Sequence, residues 1–146
     1  LLGRARALKV PVIHIQHDSG PGSPYDISAE IGAIADKLAP AEGEAVVVKH
    51  YPNSFVGTDL EARLKALGAT RLVIAGFMTH MCINSTARGA FNLGYAVSVP
   101  ASATATRALP APGGGTVSAA ALQTAALAAL ADLFAVVVPA VDDIPD

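Results

Sequence analysis

Five short runs of β-branched residues constrain this chain more than any other feature: KVPVIHIQH (9–17), EAVVVKH (44–50), RLVIAGF (71–77), YAVSVP (95–100) and FAVVVP (134–139). Their Val and Ile residues do not alternate cleanly with polar ones, which suits strands covered on both faces in a parallel sheet. Parallel neighbours need long crossovers, and helical segments fall between the runs. TDLEARLKALG (58–68) sets Leu60, Leu64 and Leu67 at helical spacing, with Thr58 and Glu61 placed for reciprocal capping and Gly68 to end the helix. A second helix is expected from about Met81 to Leu93, stopping at Gly94, and a third over 118–134, alanine-rich and capped by Ser118. The pattern predicts one α/β domain over residues 1–146, a three-layer α/β/α sandwich around a doubly wound, mainly parallel sheet of Rossmann-like topology.

Two Gly/Pro-rich connections leave the carboxyl ends of strands, 17–44 and 102–117. In open α/β sheets, sites are built at that edge. The first contains ISAEIGAIADKL, which reads as a short helix. Neither connection is long enough for a second domain, and no internal repeat is present. The first residues, LLGRARA, read as the end of a helix.

Composition closes off several classes of function. A net charge of −2 gives no electrostatic reason to bind nucleic acid or an anionic membrane. No apolar run reaches transmembrane length, and LLGRARALKVPV has neither the apolar core nor the cleavage site of a signal peptide. A single cysteine, Cys82, rules out an internal disulfide and a multi-cysteine zinc site, and it is compatible with a reducing, cytoplasmic setting.

Cys82 lies in LVIAGFMTHMCINSTARGAF (72–91), where an apolar strand meets a polar turn and then a helix. A lone cysteine is commonly a small core residue. With Thr79 as N-cap, however, Cys82 falls in the first turn of the helix. Backbone N–H groups and the helix dipole favour a thiolate there, and they can hold a developing oxyanion. That is the geometry of a nucleophile elbow. On these grounds both readings stand.

The four histidines divide by position. His80 is too close to Cys82 in sequence to pair with it on one turn, and His14 lies within a strand as a satisfied core residue would. His17, at the strand's carboxyl end, is a pocket candidate. His14 and His17 are an odd number of residues apart on a strand and face opposite ways, so no metal is expected. Lys49 ends the apolar run VVVK. It is either a snorkelling lysine or a cation beside a cysteine thiolate.

The stretch VVVKHYPNSFVGTDLEARLKALGATRLVIAGFMTHMCINSTARGAFNLGYAVSVPASATATR resembles the isochorismatase-like cysteine hydrolases, a superfamily that includes nicotinamidases. The likeness is carried by a strand-end Lys, a following Ser-Phe and Thr-x-Leu, then Gly-x-x-Thr-x-x-Cys with Thr-Ala and Gly-Tyr downstream. It extends from residue 9 to about residue 138. The resemblance implies the same doubly wound fold and an Asp, Lys, Cys catalytic set. Cys82 matches the nucleophile and Lys49 the lysine. It further implies a cis peptide at Phe77-Met78 and an oxyanion hole formed by the N–H groups of Met78 and Cys82. His17, Tyr51, Asn53, Phe55, Phe77 and His80 are candidates to line the substrate pocket, and each can equally be a residue of the fold.

Two departures qualify the match. The family's aspartate follows a first, central strand, in an apolar-Asp-x-Gln segment, whereas KVPVIHIQH matches the second strand. The expectation is therefore an N-terminally trimmed form of a longer protein, with the base outside this sequence or replaced. Asp18 is the candidate replacement; its alternative reading is a turn residue before Ser-Gly-Pro-Gly. The other departure is Ser102, where many members have Asp. The nicotinamidase metal motif is missing from this stretch, and no cofactor is expected.

The leading expectation is a cysteine hydrolase that cleaves a small amide or related C–N bond through an acyl-enzyme. The competing readings are a non-catalytic scaffold or ligand-binding protein and a redox-sensing thiol. The implied partners are a small-molecule substrate and a second copy of the chain in a homo-oligomer.

Overall fold

A computed structural model describes residues 1–145. The chain divides into two compact units, Leu1–Gly68 and the residues from Ala69 onward.

The first unit contains α1 (Leu2–Ala7), β1 (Ile13–His17), β2 (Ala45–Lys49) and α2 (Leu60–Ala66). β1 and β2 pair in parallel, with Ile13 opposite Ala45 and His17 opposite Lys49. The strand expected over 9–17 therefore starts late. Leu8, Lys9 and Val10 give their N–H groups to the carbonyls of Arg4, Arg6 and Ala5, closing the end of α1 before extended chain can begin. In β2, Val47 and Lys49 are buried while Val46 and Val48 are exposed. This strand thus alternates, against the expectation of two covered faces.

The crossover from β1 to β2 holds two single 3-10 turns, Glu30–Gly32 and Asp36–Leu38, in place of the expected short helix. The backbone makes a close approach at Gly32, where a Cβ would lie 2.2 Å from the carbonyl oxygen of Asp26. Gln16 Nε2 fixes the same spot by donating to the Gly32 carbonyl at 2.7 Å. Asp26 organises the rest of the loop. It is 8% exposed, and its carboxylate accepts N–H bonds from Gly22 at 2.8 Å and Ser28 at 2.9 Å.

α2 buries Leu60 and Leu64, but Leu67 is exposed. The expected reciprocal cap does not form. Thr58 Oγ1 accepts from the Leu60 N–H at 3.3 Å and donates to the Ser54 carbonyl, while Glu61 pairs with Lys65. Gly68 ends the helix as expected: it takes a φ of +63°, and its N–H reaches the Lys65 carbonyl at 3.0 Å.

In the second unit the elements are β3 (Arg71–Val73), β4 (Gly76–Phe77), a π-helical turn (Thr79–Ile83), α3 (Asn84–Asn92), β5 (Ala96–Pro100), β6 (Thr104–Ala105), β7 (Leu109–Pro110), β8 (Thr116–Val117), α4 (Ala119–Ala131) and β9 (Val136–Val138). β3, β5 and β9 form a parallel sheet in that order. The expected strand 71–77 is split in two. Ile74 still donates to the Ser98 carbonyl, but Gly76 adopts a φ of +122°, which L side chains resist, and the chain then pairs with β6 instead of β5. Segment 102–117, expected as loop, contains β6 and the small β7–β8 hairpin.

α3 packs on β5, and α4 packs on β9, on α3 and on the π turn. Ala87, Ala90, Val99 and Leu130 are fully buried between them. The expected Ser118 cap is present, its Oγ accepting the Ala121 N–H at 3.2 Å. The parallel pairing with intervening helices is that of an α/β fold, as the sequence predicts.

Candidate active site

Cys82 is the fourth residue of the π turn between β4 and α3, and it is half-buried. A cis peptide links Phe77 to Met78 just before the turn. The Met78 carbonyl accepts N–H groups from both Met81 at 3.0 Å and Ile83 at 3.3 Å, so the chain enters α3 through a widened turn. This corrects the expected capping. Met78, in extended conformation, occupies the cap position, and Thr79 is the first residue of the turn. Thr79 is fully buried, and its hydroxyl has no hydrogen-bond partner among the described residues. Phe77 is exposed. His80 is held through Nδ1 against the Thr106 hydroxyl, on the segment after β6. Ser102 sits in a 3-10 turn (Ala101–Ala103), its N–H bonded to the Pro139 carbonyl at 3.1 Å.

Lys49 belongs to the first unit. It is 3% exposed, so the whole side chain and not only its stem is buried. Its Nζ lies 2.9 Å from His17 Nδ1 and donates to the Tyr51 carbonyl at 3.0 Å. The His17 ring continues to Ser19 Oγ at 3.0 Å and meets Tyr25 edge-on at 5.2 Å between ring centres. Burial first, then the charges of Lys49 and His50, push the His17 imidazole below its ordinary pKa, with Asp18 opposing them. Tyr51 is exposed, whereas Asn53 and Phe55 are half-buried in the loop after it, where Asn53 Oδ1 accepts the Phe55 N–H at 3.1 Å. Asp18 makes a turn: Oδ1 accepts the Gly20 N–H at 2.8 Å, and its carbonyl lies 2.9 Å from His50 Nδ1.

The expected site residues thus fall into two groups. His17 and Lys49 end β1 and β2, with Tyr51, Asn53 and Phe55 in the loop after β2, while Phe77 and Met78 precede the π turn and His80 and Cys82 lie within it. Sequence reasoning missed a third cluster. His14 Nε2 lies 2.7 Å from Glu44 Oε2, and Arg6 holds the same carboxylate. Its members are 30 and 38 residues apart in sequence, which left no local signal. Among the described residues, no three His, Cys, Asp or Glu side chains are grouped to hold a metal ion, and no helix is long and apolar enough to cross a membrane.

Residues 1–142 match the isochorismatase domain family. The chain belongs to the isochorismatase family. It is 38% identical over 143 residues to a secreted isochorismatase effector of Verticillium dahliae, covering 97% of this chain and 73% of that protein. A ureidoacrylate amidohydrolase of Rhizobium rhizogenes is 32% identical over 123 residues, covering 64% of this chain and 50% of the relative. The crystal structure of an isochorismatase from Pseudomonas putida KT2440 superposes with a TM-score of 0.93 at 36% identity, over 98% of this chain and 73% of that one. The chain therefore has the isochorismatase α/β fold, is an isochorismatase-family hydrolase, and spans only part of the length of these relatives.

Proposed function

We propose that the protein cleaves a small-molecule amide or related C–N bond, with Cys82 as nucleophile. The observation that carries this reading is the position of Cys82 at the strand-to-helix turn, in a family of hydrolases. A relative named as an amidohydrolase supports the choice of bond.

The Cys82 thiolate attacks the carbonyl carbon, and the N–H groups of Met78 and Cys82 receive the developing oxyanion. Loss of the amine leaves a thioester, which water hydrolyses to the acid and the regenerated thiol. Lys49 supplies the positive charge that favours the thiolate. His17, Tyr51, Asn53 and Phe55 in the first unit, and Phe77 and His80 in the second, are the candidate substrate-binding residues. The chemistry needs a base to take the thiol proton and return it to the leaving amine. The carboxylate of Asp18 is engaged by its own turn. The reading gives this task to an aspartate, as the family resemblance implies. It also takes the protein to act in the cytoplasm as a homo-oligomer.

Thiol alkylation separates this reading from a non-catalytic scaffold. Near neutral pH, iodoacetamide should label Cys82 at least about tenfold faster than it labels glutathione, as an activated thiolate requires. Labelling no faster than glutathione would favour the scaffold.

A further inference from the structure

We propose that His17 is a positioning residue, whose neutral imidazole accepts a hydrogen bond from the Lys49 ammonium and sets where that charge points. The inference deepens the hydrolase reading and rests on it for the role of Lys49.

The geometry comes from strand register. β1 and β2 pair in parallel with His17 directly opposite Lys49 at their carboxyl ends, so the two side chains rise side by side on one face. A buried ammonium must find acceptors for its N–H groups. At 3% exposure, Lys49 has the Tyr51 carbonyl at 3.0 Å and His17 Nδ1 at 2.9 Å. An ammonium has only donors, so Nδ1 must bear the lone pair. The ring proton then lies on Nε2, which donates to Ser19 Oγ at 3.0 Å. Both ring nitrogens are thereby committed within the protein, and the edge-on Tyr25 ring restricts rotation. This arrangement fits a group that holds Lys49 in place.

Protonation of His17 puts an N–H where the lone pair was, facing a cation, and the contact breaks. The charged and titratable groups around the imidazole are Lys49, His50, Asp18 and Tyr25. His50 Nδ1 lies 2.9 Å from the Asp18 carbonyl, and the Asp18 carboxylate is held by the Gly20 N–H. Burial, then the Lys49 charge, favours the neutral ring, so the contact persists as pH falls past the ordinary histidine value.

Two measurements on the full chain test the proposal. The first is the nitrogen-15 NMR titration of the His17 imidazole. It should show the Nε2–H tautomer and a midpoint that rises in Lys49→Met. The Nδ1–H tautomer, or an unchanged midpoint, would overturn the contact. The second is the rate of Cys82 alkylation by iodoacetamide from about pH 5 to 8. Lys49→Met and His17→Leu should each slow it by about tenfold, the expected scale for losing one hydrogen bond to a charge. His17→Asn, which keeps an acceptor near the Nδ1 position, should restore most of the rate and remove the acid-side loss that follows His17. If Lys49→Met slows labelling and His17→Leu does not, positioning by His17 is wrong while the hydrolase reading stands. If Lys49→Met has no effect, the role of Lys49 fails and the proposal fails with it.

Discussion

Arg6 grips Glu44 with two parallel hydrogen bonds, Nε to Oε1 and Nη2 to Oε2, each 2.8 Å long. The same carboxylate accepts the Ala41 N–H at 2.9 Å and lies 2.7 Å from His14 Nε2, and Arg6 also donates to the Ala39 carbonyl. One side chain thus ties α1, β1 and the approach to β2 together. The Arg6 guanidinium, the Ala41 N–H and His14 hold the Glu44 carboxyl far below its ordinary value of 4.5. A carboxylate with a depressed pKa contributes stability that is present above the ordinary value and lost as pH falls through the folded one. Glu44→Gln should therefore lower the melting temperature at pH 7 and leave a smaller difference between pH 7 and acid than wild type shows. Circular dichroism melts over a pH series measure this. An equal acid-side loss in both proteins would count against the cluster.

Gly32 and Asp26 make the second prediction. Because a Cβ at residue 32 would lie 2.2 Å from the Asp26 carbonyl oxygen, Gly32→Ala must displace backbone, and nothing flexible stands in the way to yield. The expected cost is about 1–3 kcal/mol, the range for overpacking. Limited proteolysis should cut within residues 18–44 faster in the variant. An unchanged cleavage rate and melting temperature would show that the loop is not held as described.

Leu130 is fully buried where α4 meets its neighbours. Leu130→Ala should cost about 2–5 kcal/mol, as truncation in a closed core does. Ser118→Ala, which removes only the cap of the same helix, should cost about 1 kcal/mol. Urea unfolding of the two variants gives the ranking, and a smaller loss at Leu130 than at Ser118 would contradict the packing of α4.

Much of the fold was legible because Val and Ile concentrate where strands lie: each of the five apolar runs contains at least one strand. Boundaries were less legible. The split at Gly76 depends on a φ of +122° that a glycine permits but does not announce, and the two-residue strands β7 and β8 are too short for periodicity to reveal. At the candidate site, VVVK was enough to suggest a strand-end lysine with its stem against apolar surface. Its contact with His17 was not, because register between β1 and β2 decides which residue stands opposite, and sequence alone leaves register open. The π turn carries no compositional marker, so Thr79 read as a cap when it lies inside the turn. The Arg6–Glu44 pair depends on tertiary placement across 38 residues.

The most direct test of the central claim is hydrolysis by the full chain and by Cys82→Ala of a panel of small amides, ureides among them, with amine or ammonia release as the readout. The proposal predicts turnover of at least one amide by the unaltered protein and a loss of about four orders of magnitude or more in Cys82→Ala, the scale seen when a nucleophile is removed. Comparable turnover by the two proteins would show that Cys82 is not the nucleophile.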